Sequence, residues 1–152
     1  GIISLLTALG AVPGEATGQF LADTAELLGE NRVKGTAGFH WVMGQVFNAG
    51  PEARVVLRQR IKTETEPLRR IDIIEFLWQD FSEESATILL DILDDETKTG
   101  FERLYAADRL LRMGQPERVV PVIKRVHRTS GDQVLRSGLN CLLWAWFGPP
   151  VS

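Results

Sequence analysis

The chain has 152 residues, 44% of them hydrophobic and 24% charged, a composition that suits one globular domain and excludes extended disorder. The longest apolar stretches, such as Leu139 to Phe147, fall short of the ~18–20 residues that span a bilayer, and no leader of charged, apolar and small residues opens the chain, so a soluble, cytoplasmic protein is expected. The net charge of −3 is uneven, −2 over residues 1–50, −5 over 51–100 and +4 over 101–152, so an acidic middle between Asp72 and Glu96 passes into a basic end between Arg103 and Arg136.

In chain order, an apolar helix opens at Gly1-Ile2-Ile3-Ser4-Leu5-Leu6 and stops at Gly10, where Gly10-Ala11-Val12-Pro13-Gly14-Glu15 punctuates the pattern. Glycine suits the left-handed conformation that closes a helix, and proline suits the first turn of the next, where its missing N–H is not needed. A second helix follows from Glu15 to Leu28, and a third, carrying Trp41 and Val46, ends at Gly50-Pro51-Glu52. Further helices are predicted over Glu52 to Thr63, from Pro67 to Phe81, over Glu83 to Asp95, from Thr99 to Met113, over Glu117 to Thr129, and from Asp132 to Phe147. Ser82 caps the joint at Phe81-Ser82-Glu83-Glu84, which lacks Gly and Pro; Thr99 and Glu102 have capping-box spacing. Val119-Val120-Pro121-Val122-Ile123 is the one β-like patch, and its flanks make it a helix kinked or loosened near Pro121.

Gly50, Ser82, Gly114 and Gly148 form a column at intervals of 32, 32 and 34 residues, the sign of a repeat. Four positions before the joints stand Leu6, Val46, Trp78, Leu110 and Trp144; one before stand Leu9, Ala49, Phe81, Met113 and Phe147; nine before stand Trp41, Ile73, Tyr105 and Leu139. These offsets trace one face of a helix, the A helix of each pair. In the B helices, Phe20, Leu57, Leu89 and Val122, then Thr24, Ile61, Leu93 and Val126, form the inner face. The expected fold is all-α: an α-solenoid of about four to five stacked antiparallel helix pairs in a single domain, residues 1–152.

Leu104 to Leu139 carries Ala106-Ala107, Leu110-Leu111, Gly114, Pro116-Glu117, Val122-Ile123, then Asp132, Val134 and Arg136. That order resembles the short HEAT-like repeats, the type also found in phycobilisome-lyase-like proteins. The match is good over this unit, fair over Gly38 to Ile61 and poor over residues 62–100, where the joint lacks Gly and Pro and the Asp-Val-Arg opening is missing. Tetratricopeptide repeats are the competing assignment, but their Trp-x-x-Leu-Gly-x-x-Tyr signature is absent. The resemblance implies a non-enzymatic scaffold for protein partners. A HEAT-like nucleic-acid-binding or DNA-repair module and a lyase-type chaperone are the alternatives. The apolar opening, and the Leu139, Leu142, Leu143, Trp144, Trp146 and Phe147 side chains of the last helix, suggest a fragment of a longer protein, a docked extra domain or self-association.

Few residues suggest chemistry. His40 and His127 lack helical partners at i, i+3 or i+4, and the His-Glu pairs by which HEAT-like hydroxylases bind iron are missing, so no metal or other cofactor is expected. His40 reads as an exposed helix residue. Cys141 reads as a small buried apolar side chain, not a nucleophile, in a reducing compartment. Asp91, Asp94, Asp95 and Glu96 lack EF-hand order, and the glycines form no phosphate loop. No catalytic residue is expected.

Basic residues are the better lead. Arg54, Arg58, Arg60 and Lys62 share one B helix, and Lys124, Arg125 and Arg128 share another; Arg60 and Arg125 occupy one aligned column. A concave strip of Arg58, Arg60, Lys124, Arg125 and Arg128 would bind an acidic protein, with nucleic acid disfavoured by the net charge and by Asp91 and Asp94 between. Trp41, Trp78 and Trp144 fall in core columns, which leaves Trp146 as the exposed contact residue.

Overall fold

The structure, a computed structural model, describes residues 2–28 and 38–149. The described residues form nine α-helices and no strand: α1 (Ile2–Gly10), α2 (Glu15–Leu28), α3 (Gly38–Asn48), α4 (Arg54–Thr63), α5 (Pro67–Leu77), α6 (Glu83–Asp94), α7 (Gly100–Arg112), α8 (Pro116–Thr129) and α9 (Gln133–Phe147). A 3-10 turn, Trp78–Asp80, extends α5. None of these helices is long and apolar enough to cross a membrane. Two compact units result, Gly1–Asp80 and Phe81–Ser152.

Packing within each unit follows one rule: a helix touches the next in sequence and the next but one. In the first unit α1 packs on α2 and α3, α2 on α3 and α4, and α3 on α4 and α5; in the second, α6 packs on α7 and α8, and α7 on α8 and α9. The first core collects Leu21, Met43, Val46, Leu57, Ile73 and Leu77, and the second Leu89, Leu93, Leu110, Ile123 and Leu135. Each such side chain contributes about 1.5–3 kcal/mol on burial. Helix α2 approaches the start of α4 so closely that a Cβ on Gly18 would lie 2.9 Å from the Ala53 Cβ and 3.0 Å from its carbonyl oxygen.

The joints have the expected chemistry with one shift of register. Gly50, Gly114 and Gly148 have φ of 101°, 82° and 81°, and the residue that joins them is Phe81, at 53°, one position before Ser82. Phe81 is the one non-glycine residue at positive φ among those described, a conformation that crowds its Cβ. Ser82 has the capping role instead: its Oγ accepts the Ser85 N–H at 3.1 Å. Realigned on Phe81, the fully buried Ile73, Ile74 and Leu77 fall eight, seven and four positions before the joint, in step with Val42, Met43 and Val46 before Gly50. Trp78, expected in that core column, sits half-buried in the 3-10 turn.

Other starts hold. Thr99 Oγ1 accepts the Glu102 N–H at 3.2 Å while the Glu102 carboxylate accepts the Thr99 N–H at 2.9 Å, and Asp132 Oδ1 accepts the Leu135 N–H at 3.0 Å. Helix α8 runs unbroken through Pro121, which lies on its exposed side. Helix α4 starts two residues later than expected, after a turn over residues 51–53. Phe20 is exposed rather than inward-facing, and Thr24 and Val122 are half-buried.

Candidate interaction surface

The arginines of α4 are held by carboxylates within their own unit. Asp80, whose side chain is 7% exposed, accepts Arg54 Nη1 at 3.2 Å and Arg58 Nη1 at 2.9 Å, and the Arg54 guanidinium also stacks 3.8 Å above the Phe47 ring. Arg60 donates Nη2 and Nε to Glu64 Oε2 at 2.8 and 3.1 Å. Burial pushes the Glu64 carboxyl up, but the Glu66 N–H on Oε1, the Arg60 bond and the charges of Arg60 and Arg69 outweigh it and hold the group below its ordinary value. Arg58 and Arg60, singled out as partner-binding residues, are thus already engaged.

Helix α8 divides its cations. Arg118 reaches Glu83 at 2.8 Å and Arg125 reaches Asp94 at 2.8 Å. Because Arg118 lies near the start of α8 and Glu83 opens α6, while Arg125 lies late and Asp94 closes α6, the two helices run parallel, fastened at both ends. Lys124 and Arg128 are exposed, and neither is bonded to a described residue.

Beside Lys124 opens an apolar concavity of the second unit. An open groove of about 580 Å³ runs between α8 and α9, walled by Pro116, Val120 and Lys124 on one side and Leu143, Trp144 and Phe147 on the other. Trp144 is 52% exposed and Phe147 54%, although both were expected in core columns. Their counterparts before Gly114, Leu110 and Met113, are buried and half-buried. The reason is local. Helix α9 buries Leu135 and Leu139 against its neighbours, but its last two turns have no further described helix on their other side. The same gap leaves Cys141 exposed, against its expected burial. Trp146 is 42% exposed as expected, but it does not line the groove.

The A helices supply one pair that the local spacing test could not detect. His40 Nδ1 lies 3.0 Å from Asp72 Oδ1, between α3 and α5, with the imidazole 4.8 Å from the Phe76 ring. His40 is therefore half-buried and partnered rather than simply exposed. The separation of 32 residues is the repeat interval itself, so searching one period away, rather than one helical turn away, finds it. Burial raises the Asp72 carboxyl more than His40 lowers it. Among the described residues no group of three or more His, Cys, Asp or Glu is placed to hold a metal ion.

Comparison with known proteins identifies no relative: no protein-family model, no curated protein and no solved structure matches the chain.

Proposed function

We propose that the chain is a non-enzymatic interaction module of stacked helix pairs, HEAT-like in its repeat, which presents a surface of its second unit to another protein. The observation that carries this reading is the α8–α9 groove, where two large aromatic side chains stand in solvent beside a cation with no partner among the described residues. Exposed apolar grooves with aromatic anchors and a charged rim are typical of protein contact sites. The order of packing, each helix on its next two successors within a unit, supports a solenoid assembly. A cytoplasmic setting fits the single exposed thiol of Cys141, which an oxidising compartment would leave open to intermolecular disulfides.

The basic-strip version of the proposal contracts to Lys124 and Arg128, since Arg58, Arg60 and Arg125 are engaged with Asp80, Glu64 and Asp94. The same engagement weakens the nucleic-acid alternative, which needs free cations in series. Capture from lysate with the whole chain as bait, with and without nuclease, tests the reading. A nuclease-resistant protein partner, lost with Trp144→Ala and retained with Arg58→Ala, is expected. Capture that nuclease abolishes would replace it with the nucleic-acid reading.

A further inference from the structure

We propose that the α8–α9 groove takes an amphipathic α-helix of another polypeptide, apolar on the face that meets Trp144 and Phe147 and acidic along the edge that lies beside Lys124 and Arg128. This rests on the interaction-module reading and names its ligand.

The second unit contains the template. Helix α8 lies against both α6 and α7. The same relation one helix pair further on sets a helix against α8 and α9, where the groove is open among the described residues. The wall residues stand in the corresponding places: Trp144 and Phe147 precede Gly148 by four and one, as Leu110 and Met113 precede Gly114. An apolar i, i+3, i+4, i+7 stripe is what a helix lays into an apolar groove.

Charge selects among helices. In the template, α6 offers the acids Glu83 and Asp94, and the helix that packs on it answers with Arg118 and Arg125. At the open groove the sign is inverted, because α8 offers Lys124 on the wall and Arg128 one turn further along the same row. Glu117 is the opposing charge and lines the other end of the groove, near the start of α8. The acids of the occupant therefore belong at the end beside Lys124 and Arg128. From Glu117 to Arg128 the row is about 17 Å long at ~1.5 Å per residue, or about three turns of helix. A desolvated apolar centre with a matched charged rim supplies affinity from the first and selectivity from the second.

The test uses the whole chain and two labelled synthetic helix-forming peptides of 16 residues, so about four turns, followed by fluorescence anisotropy. Both carry leucines at i, i+4, i+7 and i+11; one has glutamates over its last two turns, and its twin has lysines there. The expected result is saturable binding of the acidic peptide, at least about tenfold tighter than the lysine twin. Trp144→Ala with Phe147→Ala should weaken it by about tenfold or more. Lys124→Glu with Arg128→Glu should invert the preference between the peptides, and Arg58→Ala should leave both affinities unchanged. Circular dichroism melts confirm that each variant folds. Equal binding of the twins, or no binding of either, overturns the proposal. So does a concentration-dependent dimer that Trp144→Ala dissolves, which would make the occupant a second copy. If neither peptide binds while the chain still captures a protein partner, this inference fails and the module reading stands; if capture fails too, both fall.

Discussion

Helices α4 and α8 are both rich in cations, and both follow a left-handed glycine, Gly50 and Gly114, yet the arginines of α4 and the cations of α8 end in different circumstances. In α4 the nearly buried Asp80 gathers Arg54 and Arg58, and Glu64 holds Arg60. In α8 two cations meet exposed acids on α6, while Lys124 and Arg128 meet nothing among the described residues. A count of basic residues along a helix measures charge. Whether that charge is available to a partner depends on the acid that the neighbouring helix happens to offer.

The largest expected effect breaks the contrast at Asp80. Asp80→Ala removes the shared acid of two arginines that are about four-fifths buried, and urea denaturation should show a loss of about 2–3 kcal/mol, below the full cost of breaking a buried pair because the guanidiniums keep some water and Arg54 keeps the Phe47 carbonyl and ring. A loss no larger than at an exposed pair would show that α4 is not locked. Next comes the approach of α2 to the start of α4. Gly18→Ala drives a Cβ against the Ala53 backbone and should cost about 2 kcal/mol, whereas Gly138→Ala in α9 meets the flexible end of Leu104 and should change stability by less than about 1 kcal/mol in the same assay.

Acid titration sharpens the comparison at Glu64. Its carboxyl is held below its ordinary value of 4.5, so its contribution is complete above pH 4.5 and is lost as pH falls through the lowered folded value. Glu64→Gln should cost about 1–2 kcal/mol at neutral pH, and the difference from wild type should shrink below that point in melts recorded down the pH range. Asp72 runs the other way: its raised carboxyl is a penalty at neutral pH that is relieved as pH falls toward 3.8. The smallest effect is at the surface pair on α8. Asp94→Ala should cost no more than about 0.5 kcal/mol, because both side chains are half exposed.

Helices were legible in the sequence where punctuation and period agree. Thr99, Asp132 and Pro67 mark their starts because capping and N1 chemistry act over three or four residues and are written locally. Phe81 was not legible as a joint, since an aromatic at positive φ contradicts propensity. Trp144, Phe147 and Cys141 were misplaced for a related reason. An apolar stripe on α9 states which side chains seek cover, not whether a neighbour supplies it. Lys124 and Arg128 were named with Arg58, Arg60 and Arg125 as one set, and only the carboxylates at Asp80, Glu64 and Asp94 separate them.

The packing of each helix chiefly on its next two successors within a unit, among the described residues, has a kinetic consequence. Contacts so close in sequence require little loop closure before they become favourable, so folding should be fast for the size of the units. Nucleation can begin at any well-capped helix, with the α6–α7–α8 region a natural starting point because Ser82 and the Thr99–Glu102 box order two helix starts locally. Amide exchange should then rise toward the last turns of α9, where cover is thinnest, while the amides of α7 exchange only when their unit opens.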